Sequence, residues 1–164
     1  MDDNVPVRRF RPWHGLLVVL AFAAAVLGAE YLLGGPASRR TFLRVSPDRQ
    51  GNVVVDAADL KPLAIRFYHF LNRGNQEVKF FVARDESGAI QVAFDAAETD
   101  YKRRLGFRLD GAWIVNNKCG TAVRLADVNS GRGGCTPVPL PFRVDGTNVV
   151  LAENDILTGW RYFR

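Results

Sequence analysis

The chain has 164 residues, of which 48% are hydrophobic and 24% are charged, and its formal net charge is +5. Because an average domain has roughly 100–150 residues, this length accommodates one domain and an appendage but excludes two full domains. The positive charge does not indicate nucleic-acid binding, because the aromatic residues lie in apolar runs and are not interleaved with a basic stripe.

The N-terminal part of the sequence predicts a membrane anchor. Residues 1–12 are polar and interrupted by proline, which is typical of a short irregular tail. Residues 13–35 form an apolar run with no charge before Glu30, and a helix needs about 20 such residues to cross a hydrocarbon core of roughly 30 Å. The alternative is a cleaved signal peptide, which requires a small residue where this run has Leu27. We therefore predict one uncleaved transmembrane helix.

The basic residues that precede this run set its predicted orientation, together with the bulk of the chain, which follows it. Arg8, Arg9 and Arg11 lie immediately before it. Since basic residues close to a transmembrane helix tend to stay in the cytoplasm, we assign the tail to that side of the membrane. Residues 36–50 form a basic linker suited to lipid headgroups, and residues 51–164 follow as an exported domain.

The exported part predicts a small α+β domain in which strands dominate. Turns that contain glycine, aspartate or asparagine separate short apolar segments, as in compact sheet-rich domains. Single helical turns are predicted at residues 56–60 and 153–157. The predicted strands are residues 53–55, 64–70, 77–83, 89–94, 105–109, 112–115 and 148–151.

Both cysteines lie in residues 116–140, the longest run of turn-forming residues. Cys119 is followed by a glycine and Cys135 is preceded by two glycines, which allow the backbone to turn tightly around each sulfur. Pro137 and Pro139 then hold the chain extended, because proline fixes φ and lacks a backbone donor. The sequence therefore predicts two cysteine and glycine loops held by rigid backbone.

Four blocks of sequence resemble the C-terminal domain of the FtrD-like membrane iron-sulfur protein family. They are residues 92–101, VAFDAAETDY, residues 106–107, GF, residues 116–120, NNKCG, and residues 133–140, GGCTPVPL. The resemblance extends from about residue 60 to residue 163, and the order and spacing of the blocks make it specific.

The resemblance implies a bacterial inner-membrane protein, single-pass, with its C-terminal domain in the periplasm. It implies a metal-handling or electron-transfer accessory subunit of a ferrous-iron uptake system, beside an iron permease and a periplasmic copper-type protein. A structural or interaction subunit without a cofactor is the alternative. An enzyme with turnover is not predicted, because the chain has two histidines and no Ser/His/Asp arrangement.

The family pattern contains five cysteines, F-D-A-C-x-x-C-Y, then C-x-x-C-G, then G-G-C-x-P. This chain keeps Cys119 and Cys135, whereas Ala97, Asp100 and Asn116 stand at the other three positions. The family implies an iron–sulfur cofactor, but such a cluster normally needs four cysteine thiolates. A four-cysteine cluster therefore cannot form within this chain.

Three arrangements of the two cysteines remain open from the sequence. A disulfide between Cys119 and Cys135 is usual in a small exported domain and would stabilise it by about 3 kcal/mol. Alternatively, the two thiolates bind a single copper, iron or zinc ion together with Asp100 and His69. The third arrangement is a cluster shared across a two-fold dimer, with two cysteines from each chain.

Overall fold

The computed structural model describes residues 12–33, 40–99, 101–131 and 133–164. The chain divides into two compact units, Met1–Arg40 and Thr41–Arg164. The first unit contains helix α1, and the second contains all of the described strands.

Helix α1 is Pro12–Leu33, close to the apolar run at residues 13–35. Proline suits the first helical position because its missing N–H would have no intrahelical partner there. Among the described residues, no helix is long and apolar enough to cross a membrane. The transmembrane prediction is thus not confirmed, and residues 1–11 and 34–39 of the predicted tail, anchor and linker lie outside the described part.

The described residues of the second unit form three sheets. In chain order the strands are β1 Phe42–Val45, β2 Asn52–Asp56, β3 Ala64–Leu71, β4 Glu77–Arg84, β5 Ile90–Ala97, β6 Phe107–Asp110, β7 Trp113–Asn116, β8 Ala122–Arg124, β9 Pro137–Pro139, β10 Arg143–Asp145 and β11 Asn148–Ala152. The central sheet has the order β1-β3-β4-β5-β9, and the two others are β10-β11-β2 and β6-β7-β8. β1 pairs with β3 in parallel, and the other pairs are antiparallel.

The central sheet is buried on both faces, so the domain has two hydrophobic cores. Along β4, Phe80 and Val82 belong to the core shared with β2, β11 and the C-terminal helices. Phe81 and Ala83 belong to the other core, shared with β6 and β7. Because successive side chains of a strand point to opposite faces, this strand is apolar without interruption over these residues.

Short helices complete the domain. Helix α2, Glu153–Thr158, follows β11 and buries Ile156 in the first core. Single 3-10 turns occur at Tyr101–Arg103, Leu125–Asp127 and Gly159–Tyr162. The β-dominated α+β domain predicted from the sequence is thereby confirmed.

Most of the predicted elements form, and the differences involve short segments. The seven predicted strands are confirmed as β2 to β7 and β11, and the helical turn at residues 153–157 is confirmed within α2. The helical turn predicted at residues 56–60 is wrong. Asp56 accepts a hydrogen bond from the backbone N–H of Ala58 at 2.8 Å, and this Asx interaction forms a non-helical turn.

Four short strands, β1, β8, β9 and β10, were not predicted. β1 lies within the predicted basic linker, where Phe42 pairs in register with Phe67 of β3. β10 pairs antiparallel with β11, which was predicted. β9 begins and ends with proline, and proline is tolerated there because β9 is an edge strand of the central sheet.

Candidate functional site

Two loops beside the central sheet carry the cysteines. Cys119 lies in the turn between β7 and β8, and Cys135 lies just before β9. Gly120 has a φ of 68°, and the glycines before Cys135, Gly133 and Gly134, have φ values of 75° and 65°. These left-handed conformations favour glycine, because a Cβ would clash with the backbone. The predicted cysteine and glycine loops are confirmed.

The two loops meet at a disulfide. Cys119 and Cys135 are bonded to each other, and their Cα atoms are 6.7 Å apart. Cys119 is exposed to solvent, whereas Cys135 is half-buried. Of the three arrangements that the sequence leaves open, the disulfide is the one present in the structure.

Asn116, the last residue of β7, holds both loops with one side chain. Its Oδ1 accepts hydrogen bonds from the backbone N–H of Lys118 at 2.8 Å and of Cys119 at 3.3 Å. Its Nδ2 donates to the carbonyl oxygen of Cys135 at 3.1 Å. The residue is only 3% exposed. This buried amide therefore has partners on both of its polar atoms and fixes the distance between the loops.

The segment that follows β5 also contacts the Cys135 loop. The backbone N–H of Thr99 donates to the carbonyl oxygen of Gly134 at 3.4 Å. The Thr99 hydroxyl oxygen lies 3.8 Å from Sγ of Cys135. In the same region Ala97 of β5 pairs in register with Pro137 of β9. The half-buried sulfur thus lies next to a hydroxyl group.

Four of the five positions that match the family cysteines, those that the structure describes, come together in the fold. Ala97 and Asn116 line the same small cavity, of about 10 Å³, together with Phe107. Asn116 contacts both residues of the disulfide, as described above. The structure therefore gathers positions 97, 116, 119 and 135, which are distant in sequence, at one place.

The predicted metal-ligand set does not assemble within the described residues. His69 lies on β3, where its Nε2 is 3.3 Å from Oε1 of Glu77. No group of three or more His, Cys, Asp or Glu side chains that could hold a metal ion occurs among the described residues. Asp100 lies outside them. The predicted site of Cys119, Cys135, Asp100 and His69 is accordingly not formed by the residues that the structure describes.

The donor atoms do not fit an iron–sulfur cluster held by this chain alone. A cluster normally needs four cysteine thiolates, and the chain has two cysteines, both of them used in the disulfide. Ala97 has no ligand atom, and both polar atoms of the Asn116 side chain are occupied by backbone partners. A cavity of about 10 Å³ is, moreover, about the size that one water molecule needs.

Sequence reasoning missed the structural roles of Asn116 and Thr99. Asparagine just before a turn commonly accepts hydrogen bonds from backbone N–H groups two and three residues later, and the segment Asn116-Asn117-Lys118-Cys119 carries that signal. Thr99 offers no such local signal, because its contact with Cys135 joins residues that are 36 positions apart.

Displaced pKa values occur at carboxyl groups elsewhere in the domain. Burial alone would raise the pKa of Asp85, but hydrogen bonds from Ser87, Gln91 and the backbone of Ala89 lower it overall. Asp85 lies in the turn before β5, at the opposite end of that strand from Ala97. The hydrogen bond from Arg66 lowers the pKa of Asp59. These groups contribute to the fold rather than to the chemistry of the disulfide.

Comparison with known proteins identifies one family. Residues 60–163 match the family described as membrane iron-sulfur containing protein FtrD-like. The match covers more than half of the chain and confirms the resemblance noted in the sequence. Neither the curated proteins nor the solved structures that were compared gave a match.

Proposed function

Because the chain belongs to the FtrD-like family of membrane iron-sulfur containing proteins, we propose that it is an accessory subunit of a bacterial ferrous-iron uptake system. In this proposal residues 13–35 attach it to the inner membrane, and residues 51–164 work in the periplasm. Its partners are an iron permease and a periplasmic copper-type protein. The subunit acts by docking to these partners and carries no iron–sulfur cluster of its own.

The disulfide is the main observation that supports a docking role without a cofactor. It joins the two family cysteines that this chain retains, and Asn116 fills a third family position with a hydrogen-bonded amide. These residues build a rigid corner instead of a set of thiolate ligands. A subunit with this arrangement keeps the shape of the family domain without one-electron iron chemistry.

The surface of α1 supports attachment to a membrane. Its described apolar side chains are largely exposed, with Trp13 at 71%, Val18 at 68% and Phe22 at 72%. Exposed apolar surface of this kind marks a site that lipid or protein covers. In the proposed function lipid covers it, as the family description suggests.

Metal content and partner capture test this proposal. The full chain is purified anaerobically, and its iron, copper and zinc contents and its visible spectrum are compared with those of the Cys119→Ser/Cys135→Ser variant. We expect the same low metal content in both proteins and no cysteine-dependent chromophore. Stoichiometric iron that disappears in the double variant would overturn the cofactor-less role.

Docking is tested separately from metal content. The tagged full chain is produced with the iron permease and the copper-type protein and is then purified from membranes. We expect at least the permease to co-purify with the parent chain. The Cys119→Ser/Cys135→Ser variant is the control, and a partner whose contacts require the rigid corner should co-purify less with it. Failure of both partners to co-purify with the parent chain would contradict the proposal.

A further inference from the structure

The Cys119–Cys135 bridge has features that a purely structural disulfide does not need. We propose that it is a reversible two-electron couple that exchanges with the dithiol of a partner protein in the same compartment. Cys119 is the sulfur that the partner attacks, and Cys135 is the leaving sulfur. This activity goes beyond the docking role and does not depend on it.

Accessibility selects the attacked sulfur. Thiol–disulfide exchange requires a thiolate to reach one sulfur of the bridge. Cys119 is exposed, and the residues on both sides of it, Lys118 and Gly120, are exposed as well. Cys135 is half-buried. An incoming thiolate therefore reaches Sγ of Cys119 first.

The hydroxyl group of Thr99 favours Cys135 as the leaving sulfur. The Thr99 hydroxyl lies 3.8 Å from Sγ of Cys135 and, once the bridge opens, can donate a hydrogen bond to the thiolate. A hydrogen bond to the charged form of a group favours that form, and a better-stabilised thiolate leaves faster. Accessibility and leaving-group stability thus favour the same direction of attack.

Other bonds keep the two loops together when the bridge is open. Asn116 joins the two loops through its own hydrogen bonds to Cys119 N–H and to the Cys135 carbonyl oxygen. The backbone bond from Thr99 to Gly134 adds a second tie that contains no sulfur. The two thiols therefore remain opposite each other after reduction, and the bridge can form again.

The exchange balances as a two-electron, two-proton reaction. A thiolate of the partner forms a bond to Sγ of Cys119, the Cys119–Cys135 bond breaks, and its electron pair leaves on Cys135, which takes up one proton. The second thiolate of the partner then attacks the partner's first sulfur, which is bonded to Cys119 in the mixed disulfide. Cys119 leaves with an electron pair and takes up the second proton. The partner dithiol is oxidised to a disulfide, and this domain is reduced.

The first test is reduction of the folded protein. The full chain in detergent is treated with dithiothreitol at neutral pH, thiols are counted by the mass added by a maleimide, and folding is followed by circular dichroism. We expect both thiols to be released with the folded spectrum retained, and oxidised glutathione to restore the bridge. Release that requires denaturant, or loss of the folded spectrum on reduction, would overturn the proposal.

The second test separates the two sulfurs. Cys135→Ser leaves only Cys119, and Cys119→Ser leaves only Cys135. At a pH where both thiols are ionised, we expect the exposed Cys119 thiolate to form a mixed disulfide with an aromatic disulfide reagent about tenfold faster than the Cys135 thiolate, because exposure then governs access. Equal rates, or a faster reaction of Cys135, would exclude Cys119 as the attacked sulfur.

The third test addresses the leaving sulfur. Thr99→Val removes the hydroxyl beside Cys135 with little change in shape, and we expect dithiothreitol to reduce the bridge about fivefold more slowly, the effect of one hydrogen bond. Thr121→Val, an exposed threonine of the Cys119 turn, is the matched control and should not change the rate. Equal rates in the two variants would contradict the role of Thr99.

None of these three tests uses the permease or the copper-type protein. Failure of the exchange proposal is therefore distinguishable from failure of the docking proposal.

Discussion

The Nδ2 of Asn116 donates a hydrogen bond to the carbonyl oxygen of Cys135 at 3.1 Å, across 19 positions of the sequence. The Oδ1 of the same amide accepts the backbone N–H of Cys119 at 3.3 Å. One buried side chain therefore holds the two segments whose sulfurs form the disulfide. Asn116 stands at a cysteine position of the family pattern, so a structural amide occupies the place of a ligand.

Asn116→Ala should destabilise the domain. The variant loses three hydrogen bonds, and each contributes about 1 kcal/mol. We expect the free energy of unfolding to fall by about 2–3 kcal/mol, measured by urea denaturation of the oxidised protein. Thr121→Ala, at an exposed position of the same turn, is the control and should cost no more than about 0.5 kcal/mol. Equal costs at the two positions would show that Asn116 does not have this special role.

Removal of the disulfide should destabilise the domain without unfolding it. The bridge closes a loop with a sequence separation of 16, which corresponds to about 3 kcal/mol in the chain-entropy account. Cys119→Ser, Cys135→Ser and the double variant should all lose about this amount, because each of them removes the same covalent bond. Urea denaturation of the three variants measures the loss. An unchanged midpoint in the double variant would contradict the expected role of the bridge.

The long strands were predictable because their signals are local. β3, β4 and β5 are eight-residue apolar segments separated by turns, and such patterns predict strands without knowledge of the tertiary structure. β1 and β8 have four and three residues, too few for a periodic pattern to stand out. β9 contains two prolines, and it forms because the partner strand β5 and the edge position are available in the folded domain.

The site was predictable where its signals are local in sequence. The glycines beside Cys119 and Cys135 indicate tight loops, and the family pattern indicates that these loops approach each other. The contact of Thr99 with Cys135 depends on where β5 ends relative to β9, which no local pattern determines. His69 lies on β3 beside Glu77, and Asp100 lies outside the described residues, so their participation as metal ligands stays a prediction.

Asp85 should make the stability of the domain depend on acidic pH. The residue is 2% exposed, and its Oδ1 accepts hydrogen bonds from Ser87 N–H, Ser87 Oγ and Ala89 N–H, while its Oδ2 accepts one from Gln91. These bonds lower its pKa in the folded state below the ordinary value of 3.8. The stabilisation is therefore complete above pH 3.8 and is lost as the pH falls through the folded-state pKa.

The Asp85→Asn variant measures this contribution. It cannot accept the Gln91 hydrogen bond at the amide nitrogen that replaces Oδ2, so we expect a loss of about 1–3 kcal/mol near neutral pH. Unfolding free energies of the parent and the variant are compared from pH 6 down to pH 2, a range of about four units around the ordinary carboxyl pKa. The difference should shrink as the pH falls below 3.8. A difference that is constant across this range would exclude titration of Asp85 as its cause.

Gly159→Ala should destabilise the domain through steric overlap alone. Gly159 has a φ of −74° and a ψ of −14°, which any residue adopts, so the backbone itself permits alanine. A Cβ built there would lie 2.6 Å from Cδ1 and 2.7 Å from Cζ of Phe94, and it would also overlap Cε1. The Phe94 ring is 2% exposed and packs against Tyr162 at a centroid distance of 6.1 Å, so it has little room to move. We expect a loss of about 1–3 kcal/mol in urea denaturation.

A matched glycine and a compensating change identify overlap with Phe94 as the cause. A Cβ at Gly131 would have its nearest neighbours at 3.5 and 3.6 Å, which are ordinary contacts, so Gly131→Ala should change the stability by no more than about 0.5 kcal/mol. Phe94→Leu by itself lowers stability, because it removes buried ring atoms from the core. In the Phe94→Leu background, however, Gly159→Ala should cost less than in the parent, since the overlapping ring is absent. Additive costs in this double-mutant cycle would mean that the alanine clashes with something other than Phe94.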